Sequence, residues 1–473
     1  MLKITFSAKQ RKKNMTARIK FVLLAAVFIG GFSSLSLELI VLRQLSGFVG
    51  STAITTSVVI GIFLAFMSLG YYAGSEMKIA LNSIRRTVAR DFLLVAVMVI
   101  LASSYILLDI YFGLLGAAGI RSNVIKTFIY SLAFLSVAPY LFGKITALLS
   151  RYLHRYNHNY TGKLMAVDTV GSVLGSILTT LAVMPFIGVN YTIVVVVVLT
   201  GAASVLLSRR AGYFWFAWAV LAAVLLNRAS LLHEMYDIVE NNAVSTISIL
   251  DTDNGQARAM VINGGNSSKI SADRKYWFGY VRYIQENFIE TLPKDRKKDV
   301  LILGAGGFTM GEDDAFHNYT FLDIDRSLLK ISEEKFLKHK LTPNKRFVVE
   351  DANQFLKDSV QKYDLIVLDT YSGMGIIPMD LITKEYFTRV KNNLKKGGIV
   401  VMNILTSPNF SDAFAVNLDN TIRSVFTHSL SRQVIGNFNA WGQQRANVIY
   451  VYYDTADEGG IYTADKNAVF YDM

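Results

Sequence analysis

The chain has no cysteine in its 473 residues, and only six prolines and six histidines. Without thiols there are no disulfides, no thiolate nucleophile and no cysteine-based zinc site. The histidines show no metal-ligand spacing beyond His154 and His158, which lie in a basic, tyrosine-rich loop that reads as an interfacial segment. No bound metal is expected. Acidic residues are scarce in one half. Residues 1–228 hold 21 Lys/Arg against 5 Asp/Glu, while residues 229–473 hold 27 against 31. The overall net charge of +12 therefore belongs to the first half. Bases that flank apolar runs anchor and orient a membrane protein, so a nucleic-acid partner is not expected.

Seven apolar runs are long enough to cross a bilayer, which takes about 17–25 residues each. They lie near 19–42, 53–77, 91–114, 126–150, 164–187, 191–208 and 211–227. The first is too long for a cleavable signal and leads into further runs. The small residues of GSVLGS, Gly171 to Ser176, predict close helix packing. Glu38, Asp168 and Lys144 are ionisable groups within apolar surroundings. Two readings stay open for them: a polar site inside the bundle, or an internal ion pair or interfacial anchor. The amino-terminal tail and the second, fourth and sixth loops carry 16 Lys/Arg against 4 on the other side, which predicts a cytoplasmic amino terminus. The expected location is a bacterial plasma membrane, with the lipid bilayer as a partner; the side on which the carboxyl-terminal half lies stays open.

The second half reads as soluble α/β structure. AVSTISIL and ARAMVING alternate as strands about a DTDNG turn. Aromatic residues follow at helical spacing, and Tyr276, Trp277, Phe278, Tyr280 and Tyr283 either line a pocket or fill a core. From Asp299 the order is strand, glycine turn, strand with an acidic tip, helix, then two further strands ending in acids. Gly304, Gly306 and Gly307 permit a tight turn and close approach of a ligand to backbone. Asp323 ends the next strand about 20 residues on, where an acid accepts bonds from ribose hydroxyls. Asp351 and Ala352 stand at the third tip, placed for an adenine edge, although Asp325 and Asp351 also suit helix capping. Asp369 ends the fourth strand and is a general-base candidate.

Taken together, LSLELIVLRQLSGFVGST and AVDTVGSVLGSILTTLAVMPFIG in the first half, with LGAGGFT, LDID, EDANQFL, YDLIVLDTYS, ITKEYF and LKKGGIVVMNIL in the second, resemble the membrane-fused branch of the spermidine synthase (polyamine aminopropyltransferase) family. The resemblance implies a helical membrane domain of about seven helices over 1–228. It implies a connector and small β-hairpin subdomain over 229–295, and a methyltransferase-like Rossmann domain over 296–473. It implies transfer of an aminopropyl group from decarboxylated S-adenosylmethionine, a co-substrate rather than a bound cofactor, to putrescine or a related amine. Under it Asp323 is the ribose-binding acid, Asp351 and Ala352 the adenine pair and Asp369 the proton acceptor. Ser245 stands where soluble members often have Gln, and Ser372 where they have a second Asp. Tyr276 falls in the segment that carries an acidic pair and a Tyr-His-Glu run in the family, and the glycine turn here lacks the family's Asp. Glu312, Asp313 and Asp314 suit either a substitute for those acids or a solvated helix start. The assembly implied is a homodimer or homotetramer. Two other functions fit the same residues: another S-adenosylmethionine-dependent transferase, and a nucleoside- or polyamine-sensing domain that controls a transporter bundle.

Overall fold

A computed structural model describes residues 17–154, 160–208, 211–371, 375–436 and 445–455. Its contacts divide the chain into two compact units, Met1–Ile247 and Ser248–Met473.

The first unit is helical. Its elements are α1 (Ala17–Val49), α2 (Ala53–Glu76), α3 (Leu81–Ser103), α4 (Tyr105–Ala117), α5 (Asn123–Tyr130), α6 (Val137–His154), α7 (Tyr160–Leu178), α8 (Met184–Leu207), α9 (Ala211–Leu226) and α10 (Ala229–Tyr236), followed by a short strand β1 (Ile238–Asn241). Among the described residues, three helical stretches are long and apolar enough to cross a membrane, or up to six if each of three bent pairs counts as one. The third stretch, Tyr160–Leu207, runs 48 residues and is broken at Gly188, whose φ of 76° lies outside the helical region. The sequence reading of seven runs counts the two sides of that break separately.

Close packing in this unit rests on absent side chains. A Cβ on Gly171 or Gly175 of α7 would overlap the carbonyl oxygens of Phe28 and Phe32 on α1. Beside them Ser36 and Thr179 hydroxyls bond at 2.7 Å. The GSVLGS segment is thus a helix-packing surface. Of the ionisable residues read from the sequence, Lys144 is paired: its Nζ lies 2.8 Å from Asp91 on α3, and both side chains are buried. Arg43 on α1 reaches residues 241–246. Its Nε donates to the Asn242 carbonyl (2.8 Å) and its Nη2 to Asn241 Oδ1 (3.2 Å) and Thr246 Oγ1 (3.1 Å). Leu232 and Ile238 pack with Ile106. These contacts explain why residues 229–247 group with the helices, whereas the sequence suggests a boundary at 228.

The second unit begins with a small sheet of β2 (Thr246–Thr252), β3 (Ala257–Ile262) and β4 (Gly265–Ile270), neighbours in chain order. Asn263 and Gly264, at φ 47° and 72°, form the turn between β3 and β4, the two-residue hairpin that Asn-Gly favours. A short helix α11 (Gly279–Ile284) leads to the main domain. There β5 (Asp299–Leu303), β6 (Asn318–Asp323), β7 (Lys345–Val349), β8 (Tyr363–Leu368), β9 (Leu394–Thr406), β10 (Leu430–Ile435) and β11 (Ala446–Tyr453) form one seven-stranded sheet in the order β10-β11-β9-β8-β5-β6-β7. Strands β5 to β9 are parallel, and β11 runs antiparallel to both β9 and β10. Helices α12 (Ser327–Ile331), α13 (Ala352–Asp358), α14 (Lys384–Asn392) and α15 (Ala413–Arg423) connect or cover the strands. Parallel strands covered on both faces read as unbroken apolar runs, which is how LILG, LIVL and IVVM read. The chain turns one way from β5 to β6 and β7, and the other way from β8 to β9. The switch point lies between β5 and β8, where open α/β sheets receive ligands.

The buried pair gives a test of the first unit. Removing one partner strands a charge in an apolar interior, at a cost of about 3–5 kcal/mol, while replacing both is close to neutral. Lys144→Ala is therefore expected to lower the thermal transition of the full-length protein sharply, and Lys144→Leu with Asp91→Leu to restore most of it. Equal transitions for wild type and Lys144→Ala would show that the pair contributes nothing.

Candidate active site

The switch point is built from strand tips. The Gly304 N–H, directly after β5, donates to the Leu322 carbonyl on β6 (2.9 Å), and the Asp369 N–H, directly after β8, donates to the Leu303 carbonyl on β5 (2.8 Å). Gly304 sits at φ 92°, and a Cβ there would overlap the Asp369 carbonyl oxygen. Asp323 and Asp369 therefore flank one glycine, two strand spacings or about 10 Å apart. The following turn is fixed from both sides. The Ala305 N–H donates to Asp323 Oδ2 (3.1 Å), and the Gly307 N–H to Ser268 Oγ on β4 (2.8 Å). No helix forms between β5 and β6; residues 304–317 are turns and bends.

Asp369 is clamped by two donors. Tyr280 Oη on α11 donates to its Oδ2 (3.0 Å) and Asn403 Nδ2 on β9 to its Oδ1 (2.8 Å). Asn403 is held in turn: its Oδ1 accepts from Asn447 Nδ2 on β11 (2.9 Å), and its carbonyl accepts from Tyr371 Oη (2.9 Å). That arrangement fixes which way the Asn403 amide points. Asp369 is half-buried in the crevice. Burial pushes its carboxyl up to about 6, against the pull of the Asn403 and Tyr280 donors. Burial and the nearby Asp369 charge push the Tyr280 phenol well up, so Tyr280 stays a proton donor at neutral pH. Asp323, also half-buried, is pushed up to about 6 by burial, with the N–H groups of Asp325 and Ala305 opposing the shift. Each of its oxygens accepts one backbone N–H and keeps a lone pair for a hydroxyl.

The opposite ends of the same strands behave otherwise. Asp364, at the start of β8, is pulled down to about 2: burial opposes this, but Arg296 and Lys395 override it. Lys395 Nζ also lies 2.6 Å from Asp299 at the start of β5. Carboxylates at that end are neutralised by bases. At the carboxyl end Asp323 and Asp369 accept from neutral donors, and burial raises both.

The other residues singled out in the sequence are distributed as follows. Asp351 caps α13, its Oδ1 accepting the Gln354 N–H (3.0 Å); Ala352 is buried behind it. Asp325 accepts the Ser327 N–H (2.9 Å) and hydroxyl (2.7 Å) just ahead of α12, whose N-cap position is Arg326. Tyr276 points its hydroxyl at Gln256 (2.7 Å), and the tyrosine on Asp369 is Tyr280, four residues further on in α11. Ser245 lies in the turn after β1, where its N–H donates to Asn242 Oδ1 (2.9 Å), within the first unit. Ser372 lies outside the described residues. The acids after the glycine turn are engaged: Asp313 with Arg274, Glu312 with His339, and Asp314 with Tyr319. Three site residues escape sequence reading, namely Ser268, Asn403 and Asn447. For Asn403 the signal was available, a lone amide inside the apolar strand IVVMNIL.

Residues 278–436 match the spermine/spermidine synthase domain. A polyamine aminopropyltransferase from Sulfurisphaera tokodaii is 30% identical over 180 residues, 36% of this chain and 56% of that protein. Polyamine aminopropyltransferase 2 from Pseudomonas aeruginosa is 27% identical over 162 residues, 32% of this chain and 46% of that protein. The chain thus spans about half the length of the curated relatives it matches. Among solved structures, a probable spermidine synthase from Corynebacterium glutamicum shares 24% identity, with a TM-score of 0.39, over 47% of this chain and 80% of that one. The spermidine synthase from Thermotoga maritima shares 16% identity, with a TM-score of 0.35, over 46% and 71%.

The raised carboxyl of Asp369 has a consequence for stability. Its folded value, about 6, lies above the unfolded value of roughly 3.9. The folded state therefore binds the extra proton between these values, and stability falls as pH rises through that window. Above it, the ionised group costs the fold about 1–3 kcal/mol, the lower figure allowing for its open edge to solvent. Asp369→Asn is expected to raise the thermal transition at pH 7.5, with the gain vanishing by pH 4. A gain that does not change with pH would contradict the assignment.

Proposed function

We propose, for a chain whose carboxyl-terminal unit belongs to the spermidine synthase family, that this unit transfers an aminopropyl group from decarboxylated S-adenosylmethionine to an amine, with Asp369 as the base. The observation that carries the proposal is the clamped, half-buried Asp369 beside the Gly304 turn and Asp323. Asp323 presents acceptor lone pairs to ribose hydroxyls. Gly304 lets the tips of β5, β6 and β8 close up around the crevice in which a nucleoside would meet backbone, and Asp351 and Ala352 stand at the next tip but one. A turn without a following helix offers no helix dipole for phosphate, which suits a nucleoside without phosphates better than a dinucleotide.

In the reaction the amine nitrogen attacks the propyl carbon on the sulfonium. A C–N bond forms and the C–S bond breaks, its electron pair leaving on sulfur as neutral methylthioadenosine. The proton released by the nitrogen passes to Asp369. An amine that keeps its proton has no lone pair, so the base must act at or before attack. The Tyr280 and Asn403 donors hold the carboxylate in one orientation, and positioning of this kind supplies much of the rate in a displacement. The cationic donor also favours the ionised form of Asp369, so binding it prepares the base. Putrescine is the acceptor the family resemblance suggests.

The first unit is proposed to cross a membrane several times, with a cytoplasmic amino terminus. Its support is the length and apolarity of its helices. At 1.5 Å per residue, 48 residues reach roughly 72 Å, more than twice the hydrocarbon thickness of about 30 Å, so Tyr160–Leu207 suits two passes that separate at Gly188.

Purified full-length protein given decarboxylated S-adenosylmethionine with putrescine, or with a panel of other amines, is expected to release methylthioadenosine. Asp369→Asn should lower kcat at least a hundredfold. Tyr280→Phe removes one donor that favours the ionised carboxylate, so the acidic limb of kcat/KM should move to higher pH by about one unit. No methylthioadenosine release with any amine, or methyl transfer from S-adenosylmethionine with release of S-adenosylhomocysteine instead, would overturn the proposal.

A further inference from the structure

The first unit contains a cavity that the proposed chemistry does not use. About 690 Å³ in volume, it lies between α3 and α9 and is lined entirely by Leu, Ile, Val, Ala and Trp side chains. Leu93, Val97 and Leu101 of α3 line it on one side, Trp215 and Trp218 of α9 on the other, together with Leu107 of α4. Such walls offer a ligand no ionic partner within the cavity, so its occupant is hydrocarbon.

The mouth has a different chemistry. Arg86 and Arg90 are exposed, and they continue the same helical stripe: positions 86, 90, 93, 97 and 101 follow one another at three- and four-residue steps. Arg90 lies 3.5 Å from Asp91, but Asp91 is fully buried and already paired with Lys144 at 2.8 Å, and the Arg90 side chain stays 65% exposed. Two guanidinium groups thus stand one and two turns beyond an apolar slot. Guanidinium forks bind phosphate oxygens in pairs. Along α3, from Leu93 to Leu101, the slot runs roughly 12 Å at 1.5 Å per residue, against about 15 Å for half the hydrocarbon core of a bilayer. The mouth lies at the basic start of α3, with Arg85, Arg86 and Arg90 on the helix and Lys78 just before it, on the side the charge pattern assigns to the cytoplasm, where a leaflet carries negative lipid.

We propose that this groove holds one acyl chain of an anionic phospholipid, whose phosphate rests on Arg86 and Arg90. The inference rests on the membrane reading of the first unit and is independent of the reaction at Asp369. The walls account for the chain, the arginines for the charge preference, and their common stripe for the spacing between them.

The test uses full-length protein in neutral detergent, titrated with phosphatidylglycerol or phosphatidylcholine of identical acyl chains, with bound lipid read by native mass spectrometry. Wild type is expected to retain phosphatidylglycerol over phosphatidylcholine by roughly thirty-fold, the contribution of two basic side chains at an anionic surface. Arg86→Gln with Arg90→Gln should bring phosphatidylglycerol down to the phosphatidylcholine level. Arg86→Lys with Arg90→Lys should keep part of the preference, and Ala222→Trp, which fills the slot, should reduce both lipids. Equal retention of the two lipids by wild type, or unchanged phosphatidylglycerol in the double Gln variant, would overturn the proposal. The surface arginine variants decide the matter even if Ala222→Trp fails to fold. Failure of the membrane reading has its own signature: recovery of the protein from cells without detergent.

Discussion

One residue without a side chain governs the candidate site. Gly304 stands between the tips of β5, β6 and β8, at a φ that L-residues rarely adopt, with its α-carbon against the Asp369 carbonyl. Because nothing projects there, three parallel strands end close together and two carboxylates face one hollow. The same backbone bonds the β6 tip, and its neighbour Ala305 bonds Asp323. A methyl at this position would push apart the groups that give the crevice its chemistry.

Electrostatics then separates the two ends of the sheet. At the amino ends of the strands, Lys395 and Arg296 neutralise Asp299 and Asp364, and the carboxyl of Asp364 titrates far below neutrality. At the carboxyl ends, burial raises Asp369 and Asp323 toward the range in which a proton can be exchanged at neutral pH. The fold tolerates such unpaired acids because neutral donors hold them: Tyr280 and Asn403 on one, backbone N–H groups on the other. Stability is conceded at the end where burial raises the carboxyls.

Much of this was legible in the sequence. Apolar runs ending in Gly304, Asp323, Asp351 and Asp369 spelled out a parallel sheet and the acidic edge of its strand tips, because strand burial and tip polarity both write themselves into local composition. The small-residue reading of GSVLGS was equally direct, since only close helix approach demands glycine at both Gly171 and Gly175. Other features depend on long-range contacts that no local pattern carries. Strand β4 reads as GNSSKI, poor in strand formers, yet its Ser268 anchors the glycine turn. Only the Asn263-Gly264 turn hinted at it. Among the aromatics of α11 and its approach, helical spacing could not say which ring meets Asp369, and the answer was Tyr280 rather than Tyr276. Lys144 likewise gave no sign of its partner, because Asp91 lies 53 positions away in the chain and meets it only through helix packing.

The central claim is that the close approach at Gly304 creates a nucleoside-binding crevice. Calorimetric titration of methylthioadenosine into full-length wild type, Gly304→Ala and Gly397→Ala tests it most directly, with Gly397 as the control because it shares a positive φ but has open space around it. The account predicts saturable binding by wild type and Gly397→Ala, and none by a folded Gly304→Ala. Undiminished binding by Gly304→Ala, or no binding by wild type, would contradict it.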